Sequence, residues 1–450
     1  MEIAAKEQIL FSPVGKSDPI NYMHDGPCLH ILRWYRPQRV VLFFTQELAA
    51  REQEDHHYTV PIRALLPDIA IETVFTDITE PQKFDAFLPR LPQELYKLHE
   101  QHPEAEILLN LSSGTPAMKN ILAILSMQEP WCRAIQVNNP APHVDRKNDS
   151  TVAAEDLIDT NFDDEADAVN RCEEPALRVL HFYADKNRIE ALIDQYEYHA
   201  AFLLSRSNPE IPSAVKTLLE HADLRLRLQT DRAEQVLSRY NGIRLLPFAG
   251  RERELVEYFL TIQVDAQKQQ FANVLIKMTP FLYEALREFV KVGTTLDIDA
   301  ISARFGSRCV LQRSKIRERY PKLLTYLDKT YGATMAGFRD NTSLSPLTLR
   351  DLCAFAETAG ETKAPEQLAA MNRVLAGFGA DVFHSRNEVA HNITNIDDAS
   401  FRKMTGMDAQ KLIRCLFDVL CQLYPKDKLK AMRQAYADIN HWIREALVRS

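Results

Sequence analysis

Residues 107–119 read ILLNLSSGTPAMK. The opening ILLNL is a short apolar run that stops at a Ser-Ser-Gly turn, the punctuation of a buried strand. Pro116 then suits the first turn of a helix, and residues 115–127 carry a helical pattern. A strand that ends in small residues and feeds directly into a helix is half of a βαβ unit. The same alternation runs toward the N-terminus. ILFSPV (9–14), VVLFFT (40–45) and AIETVF (70–75) are strand candidates, and AIQV (134–137) follows as the fifth strand. Helical patterns lie between them at CLHILRWY (28–35) and at residues 81–101, with Pro81 near the start. Strands alternating with helices predict a doubly wound parallel sheet, an α/β Rossmann-like domain over residues 1–145.

Beyond this domain the pattern changes. Residues 145–174 hold eleven acidic and three basic side chains, a net charge equal to the −8 of the whole chain. We read 146–174 as a solvated acidic connector, a linker with a short helix around its one apolar cluster, Leu157 and Ile158. From 175 onward strand patterns nearly vanish, and residues 175–205, 211–241, 250–292, 346–359, 366–383 and 408–447 read as amphipathic helices. This divides the all-α region into a helical linker domain, 175–260, and a final helical domain, 261–450.

The 450 residues are 46% hydrophobic, which excludes a mostly disordered chain, and the 13 glycines are too few for a Gly-punctuated all-β fold. No charge-free run approaches the length of a membrane span, so no membrane association is expected. The opening MEIAAKEQILF has no secretory pattern. The seven cysteines form no C-x-x-C pair, which speaks against a disulfide framework or zinc ribbon and for a cytoplasmic protein. The acid is concentrated in one segment, and residues 251–450 carry a net +5, so the overall charge is no bar to nucleic acid.

Ligands of open parallel sheets bind beyond the carboxyl ends of the strands. Two loops there have suitable chemistry: SPVGKSDPI (12–20) and NLSSGTPAMK (110–119). In the second, helix-start amides can hold a phosphate, and Gly114 lets the backbone approach closely. The same residues also read as a helix N-cap with a turn. Gly15-Lys16-Ser17 is not a P-loop, because position 10 is Leu. No G-x-G-x-x-G occurs, so no dinucleotide cofactor is expected.

In SRNEVAHN (385–392), Arg386 and His391 are brought toward one side of a helix or helix entry, with Asn387 beside them. A cation for the phosphorane, a base or orienter for the 2′-hydroxyl and a polar positioning group suffice for metal-independent RNA cleavage. The spacing also occurs at Arg51 with His56 and His57, within an acidic stretch that reads as a solvated face. A helix-start arginine and a satisfied histidine are the structural alternative. A basic cluster at 304–322 (Arg304, Arg308, Arg313, Lys315, Arg317, Arg319 and Lys322) can follow an RNA backbone or form a solvated face.

Taken together, these motifs resemble the CARF–HEPN ancillary ribonucleases of type III-A (Csm-type) CRISPR systems, over the whole length. ILFSPVGKSDPI and NLSSGTPAMK look like the two ligand loops of a CARF sensor domain, DGPCLHILR (25–33) is also similar, and RNEVAH (386–391) looks like the HEPN R-x4-H motif. The resemblance implies a homodimeric endoribonuclease that cleaves single-stranded RNA without a metal and leaves a 2′,3′-cyclic phosphate. Its activator would be a cyclic oligoadenylate, hexaadenylate favoured over tetraadenylate, with no cofactor. It implies a functional link to the type III effector complex without stable binding. The catalytic set would be Arg386, Asn387 and His391. The activator site would draw on Gly15, Ser17, Asp18, Thr45, Asn110, Ser112, Ser113, Gly114, Thr115 and Met118. Slow cleavage of the activator in the sensor domain would involve Thr115 or Ser113. The competing readings are a non-catalytic nucleotide-sensing regulator with a helical partner-binding domain, and a metal-dependent DNA nuclease on the same sensor.

Overall fold

Five strands run parallel through the first 140 residues: β1 (Gln8–Pro13), β4 (Arg39–Phe44), β5 (Ala70–Phe75), β6 (Glu106–Asn110) and β7 (Cys132–Val137). The computed structural model describes residues 6–140, 154–238, 248–306, 308–332, 338–339, 342–378, 382 and 396–448. Within these, the chain divides into two compact units at Tyr183/Ala184.

The sheet of the first unit has the order β5-β4-β1-β6-β7-β8, where β8 (Cys172–Glu173) is the one antiparallel strand. Two small strands, β2 (Ile20–Asn21) and β3 (His24–Asp25), make a hairpin beyond β1. Both faces of the sheet are covered, which is why its strands read as continuous apolar runs. Leu10, Val40, Leu42, Phe44 and Leu108 face one core, completed by Cys28, Leu29 and Leu32 of α1 (Pro27–Tyr35), Ala49 of α2 (Gln46–Asp55) and Ile62 of α3 (Thr59–Leu65). Ile9, Phe11, Val41, Phe43, Ile107 and Leu109 face the other, against α4 (Arg90–Gln101) and α5 (Pro116–Gln128).

Two expectations for this unit need correction. The helix expected over 81–101 begins only at Arg90, because the proline at 89 disfavours helical geometry at Leu88; before it stands one short 3₁₀ turn, Phe84–Ala86. The acidic connector does carry a short helix around its Leu157–Ile158 cluster and is mostly exposed over its described part, but it is not solvated throughout. Helix α6 (Ala154–Asp159) brings Leu157 and Ile158 onto the first core, and Cys172 packs there too, where β8 extends the sheet. Its carboxylates Asp163 and Asp164 pair with Arg171 and Arg33.

The second unit is helical. The first three stretches expected as helices are each two, joined by a tight turn: α7 (Arg178–Asp194) and α8 (Tyr198–Ser207), α9 (Ser213–Leu226) and α10 (Thr230–Ser238), α11 (Gly250–Gln267) and α12 (Phe271–Gly293). The first helix of each pair ends in a left-handed residue that is not glycine: Tyr196 (φ 57°), Leu228 (φ 58°) and Gln269 (φ 57°). The next amide closes the turn onto a carbonyl five residues back, as in Glu197 N–H to Leu192 O at 2.9 Å and Gln270 N–H to Asp265 O at 2.8 Å.

After a short helix, α13 (Ile298–Ile301), strands β9 (Ser302–Phe305), β10 (Arg308–Leu311) and β11 (Thr342–Ser343) form a small antiparallel sheet that the sequence reading missed. Helices α14 (Arg313–Arg319), α15 (Pro321–Gly332), α16 (Pro346–Ala359) and α17 (Pro365–Ala376) follow. The single helix expected over 408–447 is three, Ala409–Cys421, Lys426–Arg433 and Ala435–Val448, the first break being set by Pro425. In the core, Phe259 of α11 lies between Phe281 of α12 and Phe417, with ring centroids 6.0 and 5.8 Å away. A fully buried bidentate pair, Arg225 to Glu257 at 3.0 and 2.7 Å, joins α9 to α11. Among the described residues, no helix is long and apolar enough to cross a membrane.

Candidate functional site

The chain enters the sheet at β1, builds outward through β4 and β5, then returns to place β6 on the other side of β1. This reversal is the topological switch point, and the loops after β1 and β6 leave the same edge side by side. They touch: a Cβ on Gly15 would stand 2.7 Å from the backbone nitrogen of Gly114. Gly114 itself holds φ at +80°, a conformation that favours glycine.

Both loops are fastened from beneath by buried polar side chains. Asn110, the last residue of β6, donates from Nδ2 to Ser12 Oγ (2.9 Å) and Ser113 Oγ (2.8 Å). Its Oδ1 accepts the Ser112 N–H at 2.8 Å. Asp18 does the same for the first loop, accepting the N–H groups of Gly15 (2.9 Å) and Cys28 (3.0 Å). Burial raises the Asp18 pKa, opposed by the hydrogen bonds from Cys28, Ser113 and Gly15.

A cleft of about 650 Å³ opens at this edge, lined by Ser17, Asn21, Tyr22, Ser112, Lys119 and Arg171 among others. Lys119 makes no ion pair among the described residues, and its partial burial lowers its pKa, with the Asp18 charge opposing. An ammonium held dry beside an open cleft gains strongly from an incoming anion. Arg171 is held by its surroundings: Nη2 donates to Asp163 (2.5 Å), Nη1 to the Asn138 carbonyl (3.0 Å), and its backbone N–H to His30 Nε2 (3.0 Å). Its Nε is buried with no hydrogen-bond partner among the described residues.

Behind Arg171 lies a buried network. His30 Nε2 accepts the Arg171 backbone N–H, and its Nδ1 stands 3.1 Å from Arg171 Nη2 and 3.4 Å from Asp25 Oδ2. Asp25 accepts from Arg33 Nε (2.6 Å) and Asn161 Nδ2 (2.8 Å). Burial would raise the Asp25 pKa, but His30, Arg33 and Asn161 outweigh it and bring it to about 2. Asp25, His30 and Asp163 are metal-ligand types lying close together. Two guanidiniums, Arg33 and Arg171, already hold the carboxylates of Asp25 and Asp163, with Asp164 sharing Arg33, so the cluster is an ion-pair lattice. It fixes Arg171 at the cleft.

Of the residues expected to bind the activator, Ser17 and Ser112 line the cleft, and Gly15 and Gly114 form its loop contact. Thr115 caps α5, its Oγ1 accepting the Met118 N–H at 3.5 Å. Asp18, Asn110, Ser113 and Met118 are buried behind the cleft wall, because their polar atoms satisfy the loops or their side chains fill the core, and Thr45 is buried at the N-cap of α2. They shape the site without lining it. The sequence reading missed Asn21, Tyr22, Lys119 and Arg171. Lys119 lay inside the quoted loop, and Arg171 is the sole basic residue between positions 148 and 177, a signal that was legible.

Arg386, Asn387 and His391 lie outside the described residues. The same unit carries a cleft of about 780 Å³ lined by Gln263, Gln267, Arg402, Arg414 and Arg433, with the helix Asp398–Thr405 on its wall. Of the competing pairs, His56 lies on a solvated face as expected, with Gln53, Glu54 and Asp55 exposed beside it, but His57 does not. His57 is buried and contacts Arg51 through Nδ1 at 3.2 Å; Glu52 is buried and accepts the Tyr58 N–H at 2.9 Å at the start of α3. Burial, with the Arg51 charge adding, lowers the His57 pKa. These residues fasten a helix junction.

Comparison with known proteins agrees with this architecture. The Cas_Csm6 CARF domain model matches residues 69–172, which include the loop 110–119 and Arg171, and the Cas_Csm6 HEPN domain model matches residues 245–444. The chain is 30% identical over 413 residues to the CRISPR system endoribonuclease Csm6 of Mycobacterium tuberculosis, covering 91% of this chain and 93% of the relative. It is 26% identical to the Enterococcus italicus protein of the same name over 417 residues, 89% of this chain and 92% of that one. In fold it is similar to the solved structure of Enterococcus italicus Csm6 bound to cyclic hexa-2′-fluoro-hexa-dAMP, with a TM-score of 0.63 and 22% identity over 98% of this chain and 100% of that one.

Proposed function

Because the chain belongs to the Csm6 family of CRISPR endoribonucleases, with their CARF and HEPN domains, we propose that a cyclic oligoadenylate bound at the strand-end cleft switches on its RNA cleavage. The observation that carries this reading is the cleft itself, where a half-dry ammonium at Lys119 and the latched guanidinium of Arg171 stand at the switch point. A phosphate of the ring neutralises Lys119, and Arg171, already paired with Asp163, adds hydrogen-bond donors at the cleft wall. Ser17, Asn21 and Ser112 supply the polar edges that adenine rings require. The solved relative holds a six-membered cyclic analogue, which supports cyclic hexaadenylate over the tetramer. If the cleft also cleaves its activator, the part falls to Thr115, because Ser113 is fully buried.

Cleavage itself is the work of Arg386, Asn387 and His391. His391 takes the proton of the 2′-hydroxyl as that oxygen attacks the adjacent phosphorus of single-stranded RNA. Arg386 stabilises the charge gathering on the phosphorane, and Asn387 positions the phosphate. The 5′-oxygen leaves, and the product ends in a 2′,3′-cyclic phosphate. No step needs a metal. Two copies of the chain supply the site together, in the cytoplasm, and the type III effector complex supplies the activator without binding the nuclease stably.

An RNA cleavage assay with cyclic tetra- and hexaadenylate in parallel tests this reading. Hexaadenylate is expected to stimulate, EDTA to leave the rate unchanged, and His391→Ala or Arg386→Ala to lower it at least ~10²-fold. Loss of activity with chelator returns the metal-dependent reading. Wild-type rates from His391→Ala place the chemistry elsewhere.

A further inference from the structure

The β9–β10 hairpin plays no part in the sites above. Its pairing sets Phe305 opposite Arg308 and Arg304 opposite Cys309, with Gly306 turning between the strands at φ +59°. Phe305 is 58% exposed, on a tip where it adds nothing to the core. The tertiary structure sorts the seven basic side chains of 304–322 into two groups. Arg313 pairs with Asp328 and donates to the Phe338 carbonyl, and Lys315 reaches the Ser302 carbonyl at 3.4 Å, so these two anchor α14 to its neighbours. Arg304, Arg308, Arg317, Arg319 and Lys322 are exposed and make no ion pair among the described residues.

Beside the hairpin lies a cleft of about 700 Å³ whose lining includes Tyr283, Arg287, Arg304 and Arg308, with two carboxylates, Glu284 and Asp299, that already pair with Arg251 and with Arg287 and Lys291. Arg287 gives Nη2 to Asp299 at 2.9 Å but keeps a buried Nε with no hydrogen-bond partner among the described residues. Arg317 and Arg319 stand in the last turn of α14, which favours cations, whereas Arg304 and Arg308 crowd like charge at the hairpin tip with no carboxylate partner among the described residues. Single-stranded nucleic acid suits both features, because its bases stack on an exposed aromatic ring and its phosphates neutralise adjacent arginines.

We infer that the β9–β10 hairpin with α14 is a docking surface for single-stranded RNA, where Phe305 stacks a base and Arg304 and Arg308 hold phosphates on either side. These residues are distinct from Arg386, Asn387 and His391. The inference rests on the chain's reading as an RNA-cleaving enzyme, and it adds a second place where the substrate strand is gripped.

The test is fluorescence anisotropy with a labelled 2′-O-methyl RNA strand of about twelve nucleotides, which binds but is not cleaved by 2′-hydroxyl attack. Affinity is measured across salt concentrations for the full-length wild type, Phe305→Ala and the Arg304→Ala/Arg308→Ala double variant. The double variant is expected to bind more weakly and to lower the log–log salt slope by about 1.4, at about 0.7 per phosphate contact on a single strand. Phe305→Ala is expected to weaken binding roughly tenfold with the slope unchanged. Wild-type affinity and slope in both variants overturn the inference, as does a wild type that fails to bind the strand. A change of oligomeric state in the double variant by light scattering also overturns it and makes the hairpin a contact between copies. Cleavage of the unmodified strand by the wild type, followed in parallel, reports separately on the nuclease reading. Cleavage with variant binding unchanged sinks only the hairpin.

Discussion

Gly114 is a tight point in the loop after β6. A Cβ there would stand 2.6 Å from Met118 Sδ and 2.9 Å from Pro13 Cβ, at a φ of +80° that side chains avoid. Gly114→Val is therefore expected to push the β6 loop into the cleft and weaken activator binding at least about tenfold. Isothermal calorimetry with cyclic hexaadenylate measures this, and unchanged affinity places the ligand elsewhere. On the proposed reading, Lys119→Ala and Arg171→Ala each remove a charge-assisted hydrogen bond to a ring phosphate. Each is expected to lower affinity about ten- to a hundredfold and to flatten its salt dependence. A variant whose salt dependence matches wild type has not lost a phosphate contact.

Two buried polar contacts decide how the first helical hairpins of the second unit hold together. Arg225 on α9 is fully buried, bonded to Glu257 on α11, with its guanidinium 5.3 Å from the Tyr436 ring centre. Arg225→Ala strands the Glu257 carboxylate and is expected to cost about 3–5 kcal/mol, whereas Arg225→Met with Glu257→Leu recovers most of it. His221, also on α9, lies 2.9 Å from the Ala233 carbonyl of α10 through Nδ1. Burial pulls its pKa down to about 4; the Ala233 hydrogen bond opposes this and the Arg225 charge adds to it. The unfolded chain takes up this proton near pH 6.5 and the folded chain only near 4, so stability falls as pH drops through that window. The loss is on the order of 3 kcal/mol. Urea denaturation at about pH 7 and about pH 4.5 measures it, and a His221→Gln variant is expected to lose that part of the pH dependence. Equal slopes in the two proteins assign the acid sensitivity to other groups.

At the scale of the whole molecule, one chain supplies one Arg386–Asn387–His391 set and one strand-end cleft. A cyclic activator with twofold symmetry matches two equivalent half-sites, which an isologous dimer of one chain provides. A particle of about 103 kDa, twice the 51.6 kDa chain, is therefore expected by light scattering without ligand. Mixing in His391→Ala chains and allowing exchange is expected to poison wild-type chains beyond simple dilution. Activity that falls only in proportion to dilution, from a particle of chain mass, refutes the shared site.

The parallel sheet and its two strand-end loops were legible from residues 8–140 alone, because strands buried on both faces must be apolar at every position and the loops must end them with small residues. The family was legible from the order of short motifs. Helix breaks at Tyr196, Leu228 and Gln269 were not, since a non-glycine residue at positive φ leaves no mark in composition. The acidic stretch misled for a related reason. Charge density predicts solvent, yet Asp163 is buried because Arg171 and the Asp25 N–H meet it there, partners 8 and 138 positions away in sequence. Which polar residues line the cleft and which hold it up was likewise decided by the fold. Ser112 and Ser113 are adjacent and chemically identical, and only the direction of the backbone after Asn110 sends one to the cleft and buries the other.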